Sequence, residues 1–364
     1  MRLVPVSELK PGMIVGRNIY GNDFRLLLNM GVSLTPALIQ RLKELGLYYI
    51  YVKDEFIGQI EVQDILTDKL KAQSFITVRK CFEKAKAGPD IEISTVTKLV
   101  NNILDEVLSF SNLMVSLVDI RLKDSYLLSH SISVCTLSLL TGIALGFDQI
   151  KLHQLGIGAL LHDIGKSTLE STLLNKSTPF TPAEEKVIQS HSMLGFEILR
   201  KIPAISILSA HVPFQHHERY DGKGYPRGIN HTEIHPYAAI TAIVNTFDQL
   251  VSPPQGKGAF PAKALEMILL ERGRAFDPEI ALAFARQISP YPIGCTLRLS
   301  TGELAVVLQT NKNHPTRPTV KVITNCYGEI QSDFPELDLS QAVTIKIEEV
   351  LSENERSQEL RNYA

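Results

Sequence analysis

Residues 159–166 read Ala-Leu-Leu-His-Asp-Ile-Gly-Lys, an apolar segment that runs straight into adjacent His162 and Asp163 and breaks at Gly165 before Lys166. Neighbouring residues on a helix point about 100° apart, so this pair does not act as a side-by-side clamp. It can instead bring an imidazole nitrogen and a carboxylate oxygen to two positions of one metal cluster. Taken alone, the same residues also read as a solvated helix end with Gly165 as its C-cap. The other histidines decide between the two. Of ten in the chain, nine lie between 130 and 235. Leu127, His130, Val134 and Leu137 recur at helical spacing, which places His130 on an inward stripe, and Val187, His191, Leu194 and Ile198 repeat the pattern on a second helix. That helix is expected to open with a capping box, Thr181 facing Glu184, with Pro182 at its first position. His216-His217 adds a further pair. Burying so many imidazoles without metal or acid partners is costly. A donor set of imidazole and carboxylate without thiolate suits iron, manganese or similar ions better than structural zinc. More than four donors points to two ions, which together can hold a bridging hydroxide and neutralise charge on a phosphoryl group.

The elements that must position these residues follow from the patterning. Residues 1–53 read as a small α+β module: apolar stretches at 13–20 and 24–29 flank a Gly21-Asn22-Asp23 turn, Thr35-Pro36 opens a short helix ending near Gly46, and Leu47–Val52 is strand-like. Residues 54–90 are charged and helical, a connector reaching Gly88-Pro89. From 91 to 288 the pattern is repeatedly helical. Residues 289–350 change to short β-type runs at Thr296–Leu299, Leu304–Leu308, Thr319–Ile323 and Val343–Ile347, divided by Gly, Asn and Pro. The polar tail, 351–364, is expected to be frayed. The fold class is therefore mainly α, with a small α+β module in front and a small β-rich domain behind.

Composition sets the outer bounds. At 364 residues, with 44% apolar and 21% charged residues, the chain is long enough for two or three domains with well-buried cores. A formal charge of −2 argues against a broad surface for polymeric nucleic acid. Cys81, Cys135, Cys295 and Cys326 stand far apart, without the spacing of a zinc ribbon or a disulfide framework. The opening Met-Arg-Leu-Val-Pro-Val-Ser-Glu lacks the apolar stretch of a signal peptide, and no run of about 18 apolar residues suggests a membrane span. A cytoplasmic protein is the expectation.

Two stretches carry a resemblance: His162-Asp163 within HDIGK, and HHERYDGKGYP at 216–226. The chain resembles the HD-GYP proteins, a branch of the HD metal-dependent phosphohydrolases that hydrolyse the bacterial second messenger cyclic di-GMP to linear dinucleotide or GMP. The similarity is strong over 120–288, with SHSISV around His130, SHSMLG around His191 and Phe276-Asp277-Pro278 also fitting. It implies an HD-type helical bundle, two divalent ions, and His130, His162, Asp163, His191, His216 and His217 as their ligands. Asp163 and Lys166 would serve catalysis, Lys166 by contacting the substrate phosphate with a compact charge. Tyr126 stands where some members carry a glutamate that helps bind a third ion, which favours two ions here. Asp221, Gly222, Gly224, Tyr225 and Pro226 form the GYP loop, with glycines for a tight turn and a surface that the family uses partly for contacts with signalling proteins.

The resemblance has two gaps. The family's aspartate ligand after the GYP loop corresponds to Asn245, whose amide oxygen brings no negative charge, and Asp248 lies one turn further on. The arginines that grip the dinucleotide are missing from 251–260, where only Lys257 could contact substrate in their place. Pro213 is expected to interrupt or restart the helix before His216. Three functions follow: a cyclic di-GMP phosphodiesterase, a catalytically impaired module acting as sensor or interaction domain, and a hydrolase of another phosphoester.

Overall fold

The N-terminal module is built from short pieces that bury one apolar face each. The computed structural model describes the whole chain except residues 22–25, 55, 57, 59–63, 89–90, 110–125, 175, 177, 255–257 and 363–364. Strand β1 (Arg2–Pro5) pairs antiparallel with β4 (Tyr49–Val52), and β2 (Ile19–Tyr20) with β3 (Leu26–Leu28). The turn expected at Gly21-Asn22-Asp23 lies largely outside the described residues. Between the pairs, α1 (Pro36–Glu44) starts at Thr35, whose side chain accepts from Leu38 N, and ends before Gly46 at φ +76°. Val4, Val15, Ile19, Leu34, Leu42, Ile50 and Val52 close a small core of their own.

The helices that follow share one large core, except for two short surface helices, Ser171–Leu174 and Pro182–Gln189, which contribute no residue to it. The helices are α2 (Asp68–Ala87), α3 (Ile93–Ser109), α4 (Tyr126–Ala144), α5 (Gln149–Leu160), α6 (Ser171–Leu174), α7 (Pro182–Gln189), α8 (His191–Leu199), α9 (Ile207–Gln215), α10 (Pro236–Val251), α11 (Pro261–Leu270) and α12 (Pro278–Ala285). Helix α2 falls in the stretch expected as a connector, yet Leu70, Phe75, Val78 and Phe82 belong to this same core. Helix α4 is, among the described residues, the one long and apolar enough to cross a membrane, but 67% of that stretch is buried inside the bundle. Its apolar character is that of a central helix, hydrophobic all round because it is covered all round.

The β-rich unit is a five-stranded antiparallel sheet in the order β8-β7-β6-β5-β9, with β5 (Thr296–Leu299), β6 (Leu304–Gln309), β7 (Thr319–Val322), β8 (Glu336–Asp338) and β9 (Ile347–Leu351). The run expected at Val343–Ile347 is instead a turn leading into β9, and β8, with no apolar alternation, was not foreseen. The tail is not frayed. It forms α13 (Glu353–Asn362), and its Glu353 and Arg356 are buried. Arg2 is bidentate to Glu353 at 2.9 and 3.0 Å, and both Arg2 and Arg356 reach Asp54 Oδ2, at 3.2 and 2.7 Å. A buried charge needs such pairing, so a sequence that looks merely polar here is fixing the last helix against the N-terminal module.

Candidate metal centre

Close backbone packing places the His–Asp pair. Helix α5 is capped by Asp148, which accepts from Lys151 N, and it ends at Leu160, before the pair rather than after it. His162 and Asp163 sit in the turn that leads into a 3-10 helix, Ile164–Thr168. Gly165 is not a left-handed C-cap. A Cβ there would overlap the carbonyl oxygen of His191, so the glycine lets the turn lie directly on the start of α8. Gly195, one turn along α8, faces Pro213 of α9, where a Cβ would come within 2.9 Å. Turn, α8 and α9 are thereby stacked at backbone distance.

Two sequence expectations about these helices fail. The stretch from Thr181 is two helices, not one, divided at Ser190. The capping box is present, but Val187 is 47% exposed and does not share an inward stripe with His191. His191 is buried because it opens α8 against the turn. Pro213 does not interrupt α9, which runs through it to Gln215. The proline instead meets Gly195, and its carbonyl accepts from His216 Nδ1 at 2.9 Å.

Six of the sequence-derived residues come together. The Asp163 carboxylate lies between two sets of imidazoles. Its Oδ2 is 3.8 Å from His130 Nε2 and 3.4 Å from His162 Nε2, while Oδ1 is 3.4 Å from His191 Nε2 and 3.7 Å from His216 Nε2. His130, His162 and Asp163 form one group able to hold an ion, and His191, His216 and His217 form another, each group's donor atoms lying within 4.8 Å of one another. Asp163, His130, His162, His191 and His216 are all at most 1% exposed.

The far nitrogens fix the ring orientations. His162 Nδ1 donates to Ala159 O at 2.8 Å, His191 Nδ1 to Ile188 O at 2.5 Å and His130 Nδ1 to Asp248 Oδ2 at 2.5 Å. With Nδ1 protonated, Nε2 carries the lone pair and faces Asp163. Among the described residues, His130 Nε2, His162 Nε2 and Asp163 Oδ1 find no hydrogen-bond partner although buried. Orphaned acceptors at such depth are expensive, and cations on the two sides of Asp163 would satisfy all three. The residues therefore fit a metal centre. Burial pushes the His130, His216 and His217 imidazoles down, and His191 to about 4, keeping them neutral and able to ligate. Burial opposes ionisation of Asp163, but the Lys166 ammonium and His162 beside it hold the carboxyl well below its usual range.

The remaining expected residues are placed differently. Lys166 Nζ donates to Asp163 Oδ2 at 2.7 Å. Asn245 is buried, but its Oδ1 accepts from Gln249 Nε2 at 2.9 Å. Lys257 lies outside the described residues. Asp277 caps α12, accepting from Glu279 N and Ile280 N. In the GYP loop, Asp221 accepts from both Arg219 Nε and Nη2 at 3.0 Å, Gly222 sits at φ +75°, and the Tyr225–Pro226 peptide is cis. A Cβ at Gly224 would overlap Arg219 N, so the loop folds back onto the chain just before it, with Tyr225 N donating to His217 O at 3.1 Å.

Three contributions escaped the sequence reading. Asp248, one turn after Asn245, holds the far side of His130 by accepting from its Nδ1. Tyr225 stacks on His217 with ring centroids 4.5 Å apart. Glu218, only 3% exposed, accepts from Arg227 N at 2.8 Å and Ile229 N at 3.2 Å and so latches the loop from beneath. An acid directly after two histidines, inside an otherwise turn-forming stretch, was the available signal.

Comparison with known proteins finds similarity over both the helical and the β-rich units. Residues 112–280 match the family model described as an HD domain, and 296–359 match a KOW domain associated with HD domain. A cyclic di-GMP phosphodiesterase of Pseudomonas aeruginosa is 32% identical over 262 residues, covering 72% of this chain and 63% of that protein. A cyclic di-GMP phosphodiesterase of Thermotoga maritima is 35% identical over 144 residues, 39% of each chain. The chain thus spans less than two thirds of the length of these relatives. Among solved structures, the HDG"Y"P protein Bd1817 from Bdellovibrio bacteriovorus is 19% identical with a TM-score of 0.46, covering 78% of this chain and 97% of that one. The helical unit of the chain thus matches the HD domain family over 112–280, and the β unit matches a KOW domain of the HD-associated type over 296–359.

Proposed function

We propose that the chain is a metal-dependent phosphodiesterase acting on a cyclic dinucleotide, cyclic di-GMP. It would hold two divalent transition-metal ions, iron or manganese, between His130, His162, Asp163, His191, His216 and His217. The observation that carries this reading is Asp163, whose two carboxylate oxygens each face a separate pair of histidine Nε2 atoms. The named activity of the two relatives supports the choice of substrate.

Paired divalent cations activate water and neutralise charge on a phosphoryl group. The chain's own residues do the rest. Backbone carbonyls and Asp248 hold the imidazoles in the tautomer that presents Nε2. Near-complete burial of the cluster strengthens every charge interaction within it. The Lys166 ammonium, 18% exposed and resting on Asp163, turns to a phosphate oxygen when substrate arrives and stabilises developing charge. Tyr225, packed on His217, keeps that imidazole in place. The outer edge of the GYP loop exposes Lys223, Pro226 and Arg227, a surface for a signalling protein. A cytoplasmic setting is part of this reading, since all four cysteines are free.

Purification under low oxygen, metal quantification and a cyclic di-GMP turnover assay with added iron(II) or manganese(II) test the proposal. Formation of linear dinucleotide or GMP is the expected result. Bound metal without hydrolysis would move the assignment to another phosphoester, and failure to retain metal would favour a non-enzymatic role.

A further inference from the structure

The histidines of the cluster do not share one means of orientation. The far nitrogens of His130, His162, His191 and His216 are each bonded, either to Asp248 or to a backbone carbonyl. Among the described residues no hydrogen bond holds the His217 side chain, and His217 is also less deeply buried than the other four. Its ring is restrained from another direction. Tyr225 stacks on it with centroids 4.5 Å apart and planes 18° from parallel, and Tyr225 N donates to His217 O at 3.1 Å. A stacked ring limits the tilt of an imidazole, but it is only as fixed as the loop that carries it.

The half of the loop beyond Tyr225 is tied down by one buried carboxylate. Glu218 follows His217 directly and is 3% exposed. Its Oε1 accepts from Arg227 N at 2.8 Å and its Oε2 from Ile229 N at 3.2 Å. Gly228, between the two donors, sits at φ +65°, a left-handed conformation that turns neighbouring N–H groups toward a single anion. On its other side the carboxylate borders a cavity of about 310 Å³ that Tyr220, Ile234 and Phe276 also line. No packing wedges it there, so the two N–H bonds carry the hold. Charge-assisted bonds of this kind are also what makes burial of a carboxylate tolerable.

We propose that Glu218 is the positioning residue for His217. It acts on the loop through Arg227 and Ile229, and on the imidazole through Tyr225. It thereby sets the affinity for the ion at His191, His216 and His217 and leaves the ion at His130, His162 and Asp163 unaffected. This selectivity rests on the reading of the cluster as a two-ion centre; the latch itself does not.

Glu218→Gln keeps the side-chain volume but turns one acceptor into a donor facing a backbone N–H. In the metal-free full chain, hydrogen exchange at the Arg227 and Ile229 amides is expected to rise about tenfold or more, with the α-helical circular dichroism unchanged. The single-site backgrounds His130→Ala and His191→Ala then separate the two ions. Adding Glu218→Gln should lower manganese affinity tenfold to a hundredfold in the His130→Ala protein, and by no more than about twofold in the His191→Ala protein. Tyr225→Ala, at a half-buried position, leaves the Glu218 bonds in place; it should repeat the selective loss and add nothing to Glu218→Gln. Equal loss at both ions, no loss at either, or additive effects of the two substitutions overturns the proposal. Unchanged exchange in the metal-free protein overturns the latch whatever the metals do. Accelerated exchange in a protein whose wild type retains no manganese leaves the latch standing and sinks the two-ion reading, and the selectivity with it.

Discussion

Asp248 Oδ2 lies 2.5 Å from His130 Nδ1, and on the same helix Asn245, one turn earlier, is bonded to Gln249 instead. The carboxylate on α10 therefore acts on the far side of the imidazole, raising its basicity and fixing Nε2 toward Asp163. Removing such a partner typically costs a tenfold to hundredfold in metal affinity. Asp248→Asn is expected to lose about that much, read by manganese titration, with the α-helical circular dichroism unchanged. An unaltered affinity would show that His130 needs no partner on α10.

Asn245→Asp should bring the α10 segment closer to the donor set that the metal chemistry favours. The new carboxylate can still accept from Gln249 Nε2, so the helix keeps its bond. Higher metal occupancy after purification is the expected outcome. Occupancy and turnover both equal to wild type would place Asn245 away from the ions.

Gly165→Ala probes the packing that delivers Asp163 to His191. The added methyl overlaps a backbone carbonyl, which cannot swing aside as a side chain would. A loss of about 3 kcal/mol or more is expected from such overpacking, read as a lower denaturation midpoint together with reduced metal retention. Full stability would mean the turn can part from α8 without penalty.

The buried imidazoles give the metal-free protein a defined acid limit. Unfolded histidines take up protons below about pH 6.5, whereas burial keeps His191 neutral down to about 4 and also depresses His130, His216 and His217. Between those values the unfolded state binds more protons, so stability falls as pH falls. His191 alone accounts for about 3 kcal/mol across that window. Denaturant midpoints measured from pH 7 to pH 4 should decline, and the decline should shrink with saturating manganese. A flat profile would contradict burial of neutral rings.

How far the sequence could be read varies by element. The helical core, the strands β5 to β7 and the convergence of His130, His162, Asp163, His191, His216 and His217 were legible, because helical spacing, β-branched runs and quoted motifs all depend on local order. What was not legible depended on long-range approach. Gly165 looked like a cap, and only its contact with His191 shows a packing role. Val187 obeyed the right spacing on a helix that breaks at Ser190. Arg356 sat in a tail that read as solvated, because its partner Asp54 is 302 residues away. Glu218 gains its role only from Arg227 N and Ile229 N, nine and eleven residues further along the chain.

The two-sided placement of Asp163 is tested most directly by metal stoichiometry. Wild type and Asp163→Ala, each loaded with manganese(II) under low oxygen, desalted and analysed by mass spectrometry of metals, should retain two ions per chain and at most one, respectively. Two ions retained by Asp163→Ala, or none by a folded wild type, would contradict a centre bridged by this carboxylate.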